Sequence, residues 1–365
     1  MNGDSATKSR NVNIDLIRIF AMFLVATLHV TGVGIGEVEY SSGIAYVVAR
    51  IFNAFSFCCI DIFAMVSGYL MCEKQITAKR IIRLWVDVFF YSVVGFAVTL
   101  LISGDKALLS LSSMNFLFPV CFGKYWYISV YFVLYFLIPF YNKLISVLDK
   151  KSFVWLLIVM LMTTSVISVI ITTDPFHLGN NIGYSFVWIS IMYFLGAYIK
   201  KYGLKLSQKA NVILIFASLF FQCVFGLIPS KYRTITLGEY NSFAVVILSV
   251  AVFVFMLNMK LKVGPKTSKL IQSFSAASLA VYLTHTHPEV FARWIVGDFR
   301  WIAKLSLPLA VISIIGIPLA ITVAGCLIGM IQQKLFEALK IYRLCDIVAE
   351  KLTAIKRKID VELSS

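Results

Sequence analysis

The sequence predicts an all-α fold, a polytopic bundle of about ten transmembrane helices with both termini in the cytoplasm. Its composition leads to this prediction. Hydrophobic residues make up 60% and charged residues only 14% of the 365 residues, and the mean hydropathy is +0.87. A soluble domain of this size has too little interior to hide so much apolar surface. The chain is therefore expected to fold within a lipid bilayer.

The apolar residues fall into about ten stretches, each long enough to cross a bilayer as a helix. Their approximate bounds are 12–33, 44–71, 81–103, 125–147, 152–172, 183–200, 209–229, 240–259, 270–289 and 305–333. The first stretch is too long for the apolar core of a signal peptide, contains Arg18 and His29, and has no small-residue cleavage site. It is predicted to remain in the mature protein as a helix.

The chain has a net charge of +15, and its basic residues are distributed unevenly among the loops. When the loops are numbered in order, the even ones carry most of the lysine and arginine residues that lie in loops, and the first and fifth carry none. Cytoplasmic loops of membrane proteins show this excess. The pattern places both termini in the cytoplasm and gives no reason to expect a nucleic-acid partner.

No repeat, linker or soluble catalytic segment divides the chain, so residues 1–333 are predicted to form one membrane domain. Residues 334–365 follow as a cytoplasmic tail, in which apolar residues recur at steps of three and four among charged ones. This pattern favours an amphipathic helix on the anionic inner leaflet, and a solvated tail is the alternative.

The first apolar stretch carries Asp15, Arg18 and His29. Ionisable groups near the bilayer centre cost about 2.5–3.5 kcal/mol each, so they tend to mark functional sites. At ~100° per residue, Arg18 and His29 return to within ~20° of one helix face, ~16 Å apart along the axis. The spacing predicts an inward stripe that leads to His29 as a general base. The alternatives are an interfacial ion pair of Asp15 with Arg18 and a structural hydrogen bond for His29.

Asp61 lies near the middle of the second stretch. A carboxylate at that depth must be paired or protonated. It is a candidate orienter of His29, because a neutral histidine base needs its second ring nitrogen held by an acceptor. Ser67 and Gly68 follow, and such small residues allow helices or a ligand to approach closely.

Three further stretches carry residues that suit substrate binding. Arg80 and Arg83 begin the third on one helix face; paired guanidinium groups suit phosphates, and anchoring at the cytoplasmic surface is the alternative. Trp126 and Tyr127 begin the fourth, at the outer interface. His285 lies near the outer end of the ninth, and the second histidine two residues later faces elsewhere, so no metal site is predicted.

Taken together, these segments resemble the acyltransferase 3 family, the integral-membrane acyltransferases that modify bacterial surface polysaccharides. The resemblance covers essentially the whole chain, as a stand-alone type without the esterase-like domain that some members carry. The segments that carry it are Asp15-Leu16-x-Arg18 and Arg18-x10-His29, Asp61-x-Phe63-x3-Ser67-Gly68-Tyr69-Leu70, Arg80-x-x-Arg83, Trp126-Tyr127 with Tyr135 and Pro139, and Ser278-Leu279-x2-Tyr282-Leu283-x-His285.

The resemblance implies a multi-pass O-acyltransferase of the bacterial cytoplasmic membrane. Such an enzyme moves an acyl group, usually acetyl, from cytoplasmic acyl-CoA (acetyl-CoA) to a hydroxyl of a surface polysaccharide or lipid-linked glycan, with no metal. The expected site residues are catalytic His29, Arg18 and Asp61, donor-binding Arg80, Arg83 and Asp15, and substrate-binding Trp126, Tyr127, Tyr282 and His285.

Two other functional classes also fit polar residues along a membrane stripe. One is a transporter or flippase for a lipid-linked saccharide, although the sequence shows no inverted repeat and no matching pair of broken helices. The other is a scaffold in which every polar residue is structural. Dependence on acyl-CoA separates the acyltransferase from both.

Overall fold

The computed structural model describes residues 11–36, 43–105, 108–109, 111–167, 181–227 and 238–362. Within these ranges the chain is helical, with short 3₁₀ and π segments and no strand. Seven of the described helical segments are long and apolar enough to cross a membrane. The predicted fold class, an all-α membrane bundle, is therefore confirmed.

The described α-helices are numbered here in chain order. They are α1 Val12–His29, α2 Ile44–Ser56, α3 Cys58–Met71, α4 Ala78–Ser103, α5 Trp126–Val147, α6 Lys150–Leu161, α7 Phe186–Tyr202, α8 Gln208–Leu227, α9 Phe243–Leu257, α10 Pro265–Ala277, α11 Leu279–His285, α12 Pro288–Trp294, α13 Leu307–Ala338 and α14 Ile341–Glu362. Short π segments extend α1 through Val30–Gly34 and α6 through Met162–Ile167.

The predicted apolar stretches correspond well to these helices. Two of them fold as the shorter helices α7 and α9, with 17 and 15 residues. The stretch at 270–289 is divided among α10, α11 and the start of α12. Residues 168–172 and 228–229, at the ends of two other stretches, lie outside the described residues. The total number of crossings and the side on which the termini lie remain predictions.

Helix α1 ends at a backbone irregularity beside a predicted functional residue. Asn11 begins the helix by accepting a hydrogen bond from the backbone N–H of Asn13 at 3.0 Å, as N-cap residues do. His29 is its last residue, directly before the π segment. Asn53 of α2 donates to the Leu28 carbonyl at 3.2 Å and so supports this junction. Single π turns of this kind are frequent at functional sites.

Helices α3 and α7 cross with their backbones in close contact. Among the described glycines, Gly68 and Gly196 at this crossing have the closest backbone neighbours. A Cβ atom added at Gly68 would lie 1.9 Å from the carbonyl oxygen of Tyr193, and one added at Gly196 would lie 2.0 Å from that of Met65. Only residues without a side chain allow this contact. The close approach predicted at Ser67-Gly68 is therefore one between helices.

Helix α13 continues to Ala338, beyond the domain boundary predicted at 333. Helix α14 follows and packs one face against α4, where Cys345 and Ala349 are buried. Further along α14, Leu352 and Ile355 remain exposed. A helix is thus present in the predicted tail, and its contact with the membrane leaflet remains a prediction.

Candidate active site

A cavity of about 350 Å³ lies among α1, α3, α4, α5 and α11. On α1 it is lined by Arg18, Met22 and Val25. These residues stand at i, i+4 and i+7, so they share a helix face, and His29 continues that face one turn further on. The part of the predicted inward stripe from Arg18 to Val25 therefore lines the cavity, whereas His29 is not among the lining residues.

One end of the cavity is cationic, and we call it the basic end. Arg18, Lys74 and Arg80 supply its charge, and no acidic side chain stands among the described residues that line the cavity. Tyr135 fixes the position of this end, because its hydroxyl donates to the Thr77 carbonyl at 3.0 Å, three residues before Arg80. Lys74 and Tyr135 were not among the predicted site residues.

The other end is formed by Tyr127 of α5 and Tyr282 of α11, and we call it the tyrosine end. Tyr127 lies eight residues before Tyr135, ~12 Å along the helix axis. The rings of Tyr127 and Tyr282 are 6.4 Å apart between centroids, and both residues line the cavity. The cavity thus follows α1 from its cations toward the level of His29.

His29 is hydrogen-bonded to His285, with 2.9 Å between Nδ1 of His29 and Nε2 of His285. The second nitrogen of His285, Nδ1, is bonded to the backbone carbonyl of Val281. A carbonyl only accepts, so His285 Nδ1 carries the proton and His285 Nε2 is the acceptor. His29 must then donate from Nδ1, which leaves its Nε2 with a free lone pair. This network gives His29 the tautomer that a general base requires.

Several contacts hold His285 in place. Helix α11 lies so close to α13 that a Cβ at Gly325 would stand 2.6 Å from the Val281 Cα. The Tyr125 hydroxyl donates to the Leu283 carbonyl at 3.1 Å. On the other side of the histidine pair, Phe291 packs edge-on against His29, with 5.0 Å between ring centroids. His285 itself is buried.

Asp61 is buried away from the histidine pair. Its carboxylate accepts hydrogen bonds from Trp188 Nε1 at 2.8 Å and from the Ser249 hydroxyl at 3.1 Å. These donors come from α7 and α9, so Asp61 ties three helices together. The structure therefore brings His285, and not Asp61, to His29. Trp188 and Ser249 gave no signal within their apolar stretches.

The two arginines of α4 have different surroundings. Arg80 lines the cavity, whereas Arg83 forms a two-pronged ion pair with Asp346 of α14, at 2.9 and 3.0 Å from its Nη2. Lys79 also binds Asp346. The hydrogen bond from Lys79 and the charge of Arg83 lower the pKa of Asp346. Arg83 is thus engaged by the tail helix.

Asp15 is buried and accepts a hydrogen bond from the Ser275 hydroxyl at 2.7 Å, which links α1 to α10. It is not among the residues that line the cavity. Trp126 packs perpendicular to Tyr127, with 5.7 Å between centroids. Within the described ranges, no group of three or more histidine, cysteine or acidic residues is placed to hold a metal ion.

Comparison with known proteins identifies the family. Residues 11–329 match the acyltransferase domain that defines the acyltransferase 3 family. This range is most of the chain, so the protein belongs to that family and is a membrane acyltransferase. No curated protein and no solved structure matches the chain. Helix α14 lies outside the matched range.

Proposed function

We propose that the protein transfers an acyl group, in the first instance acetyl, from cytoplasmic acyl-CoA to a hydroxyl of a cell-surface or lipid-linked polysaccharide. Its place would be the bacterial cytoplasmic membrane, with the basic end of the cavity toward the cytoplasm. One observation carries the proposal: a single cavity joins three cations to the helix face that leads to His29.

The charges of the basic end suit the donor. Coenzyme A carries a pyrophosphate and a ribose phosphate, and Arg18, Lys74 and Arg80 line one cavity whose described lining holds no acidic side chain. Guanidinium groups bind phosphate oxygens by charge-assisted, two-pronged hydrogen bonds. Arg83 is left out of this set because Asp346 already occupies its guanidinium.

The dimensions also suit the donor. Ligand cavities usually measure about 300–1,000 Å³, so 350 Å³ fits the thin pantetheine arm and leaves the nucleotide at the mouth. The arm has about the length of four extended residues, ~14 Å. The rise from Arg18 to His29 is ~16 Å. A thioester anchored at the cations would therefore reach the level of His29.

The histidine pair supplies the base. His29 Nε2 takes the proton of the acceptor hydroxyl while the oxygen attacks the thioester carbonyl carbon. The carbon–sulfur bond of the tetrahedral intermediate then breaks, and the His29 imidazolium returns the proton to the departing thiolate. His285 acts as a positioning residue, because it holds the donating Nδ1 of His29 throughout. A general base contributes ~10²–10⁴-fold.

The test uses purified protein in lipid nanodiscs with radiolabelled acetyl-CoA and surface glycan. We expect thiol release and transfer of label by the wild type, and loss of both in a His29→Ala variant that keeps its melting temperature. Repetition with succinyl-CoA and longer acyl-CoAs identifies the acyl group. Absence of binding and turnover with every acyl-CoA, in a folded wild type, would contradict the proposal and favour a transporter or a scaffold.

A further inference from the structure

Four aromatic rings form a cluster beside the tyrosine end of the cavity. They belong to Phe57, Trp126, Tyr184 and Tyr240, here called the aromatic cluster. The centroid distances are 4.5 Å between Trp126 and Tyr184, 5.0 Å between Tyr184 and Tyr240, and 5.5 Å between Phe57 and Tyr240. Trp126 is the first residue of α5, and the two tyrosines stand just before α7 and α9 begin. Three helix starts thus bring the rings together.

The aromatic cluster adjoins the donor path without lining it. Trp126 contacts Tyr127, and Tyr127 lines the cavity. Tyr127 in turn contacts Tyr282, which stands three residues before His285 on α11. One ring therefore separates the cluster from the place where the thioester is expected. A second substrate bound at the cluster would meet the donor from the other side of Tyr127.

A carboxyl group accompanies the rings. Glu239 precedes Tyr240 and interacts electrostatically with the Tyr184 hydroxyl. Burial raises the pKa of Glu239 to about 7. Within the described part of the chain, its side chain has no hydrogen-bond or ion-pair partner, unlike buried Asp61 with its two donors. Its oxygens are therefore acceptors that the described residues leave unused.

An interfacial belt of aromatic residues does not account for this arrangement. Belt residues keep their rings at the lipid headgroups, whereas Tyr240 is only 3% exposed. A belt also gives no reason for a partly buried carboxyl that has no partner among the described residues. A pyranose ring fits both features, because it has an apolar face of C–H bonds and a rim of hydroxyl donors. Such ligands need stacking rings and a few placed acceptors.

We propose that the aromatic cluster and Glu239 form the acceptor subsite, and that the sugar bound there is uncharged. The proposal rests on the function proposed above and specifies its acceptor. The sugar stacks on Trp126 and Tyr184, donates hydrogen bonds from its hydroxyls to Glu239, and presents one further hydroxyl past Tyr127 toward His29. An anionic sugar is disfavoured because the ionised form of Glu239 would repel it, and like charges at an interface oppose binding.

The test measures acceptor kinetics in nanodiscs with acetyl-CoA as donor. The probes are p-nitrophenyl glycosides of glucose, galactose and N-acetylglucosamine, compared with the corresponding glucuronide. Truncation of a stacking aromatic residue is expected to raise the acceptor KM about tenfold, so we expect this rise in Tyr184→Ala. Glu239→Ala removes the hydrogen-bond acceptor and should raise the acceptor KM by a similar factor, whereas Glu239→Gln keeps an acceptor oxygen and should raise it less. Trp155→Ala, at an exposed tryptophan of α6, is the matched control and should behave as the wild type.

The outcomes separate this proposal from the proposed function. Binding of acetyl-CoA, measured by calorimetry on the same samples, reports on the donor site alone. If acetyl-CoA binds but no neutral glycoside stimulates thiol release, or the glucuronide is the better acceptor, the acceptor proposal is overturned. It is also overturned if Tyr184→Ala and Glu239→Ala leave the acceptor KM within twofold of the wild type. Failure of acetyl-CoA to bind counts against the proposed function itself.

Discussion

Removal of the acceptor nitrogen at position 285 is expected to slow acyl transfer without unfolding the protein. His285→Leu fills a similar volume but accepts no hydrogen bond, so His29 loses the partner that lies 2.9 Å from its Nδ1. In the transition state His29 becomes an imidazolium, and a hydrogen bond to a charged group is worth about 1.5–3 kcal/mol. At 1.36 kcal/mol per factor of ten, kcat should fall about 10- to 150-fold.

The assay is steady-state thiol release from acetyl-CoA with a saturating glycan acceptor, together with melting curves in detergent. His285→Gln retains an acceptor oxygen and should recover part of kcat, which a loss of packing alone would not explain. Asp61→Asn is the matched comparison: the amide still accepts from Trp188, so kcat should stay within a few-fold of the wild type. A folded His285→Leu variant with wild-type kcat, or a greater loss in Asp61→Asn, would refute the assignment of the orienting residue.

Three further predictions concern the donor site, the bundle and the tail. Arg80→Gln should raise the KM for acyl-CoA about tenfold, whereas Arg83→Gln should change it less than twofold. Equal effects of the two variants in steady-state kinetics would contradict the assignment of Arg80, and not Arg83, to the donor site. Gly68→Ala should destabilise the protein by about 2–3 kcal/mol, because its Cβ would meet backbone 1.9 Å away; an unchanged melting temperature would be inconsistent with that crossing. The pKa of Asp346 is lowered in the folded protein, so its ion pairs stabilise tail docking at pH values above the unfolded pKa of about 3.9. This stabilisation is lost as the pH falls through the lower pKa of the folded state. Hydrogen exchange over residues 341–349, corrected for intrinsic rates, should therefore accelerate on acidification and, at neutral pH, in Asp346→Asn. Equal protection in that variant would argue against a role of these ion pairs in docking the tail helix.

The sequence predicts those features that depend on one helix. The stripe from Arg18 through Met22 and Val25 toward His29 follows from the geometry of a single α-helix, and the cavity lies along it. The all-α membrane fold follows from composition and the length of the apolar stretches. Neither inference requires knowledge of which helices are neighbours.

Features that depend on neighbouring helices escape sequence reasoning. His29 and His285 are 256 residues apart, and their depth in the bundle depends on the crossing of α11 with α13. A carboxylate is a common acceptor for a histidine base, which favours Asp61 when only the sequence is considered. The residues that donate to Asp61 are Trp188 and Ser249. Both lie in apolar stretches, where such residues usually have a packing role, so the sequence does not mark them as its partners.

The different surroundings of Arg80 and Arg83 also depend on a neighbouring helix. Residues three apart share a helix face, which predicted a common role at the donor site. The tail helix α14 packs on α4, and Asp346 takes up Arg83 while Arg80 remains at the cavity. No local pattern in the sequence indicates where a terminal helix will dock.

The most direct test of the proposed mechanism is a cryo-EM structure in nanodiscs with a non-hydrolysable ketone analogue of acetyl-CoA. We expect the phosphates to lie at Arg18, Lys74 and Arg80, and the pantetheine arm to fill the cavity. The carbonyl carbon should stand about 4–6 Å from His29 Nε2, which leaves room for one hydroxyl oxygen between them. Phosphates bound elsewhere, or a carbonyl too far from His29 for one oxygen to bridge, would contradict the mechanism.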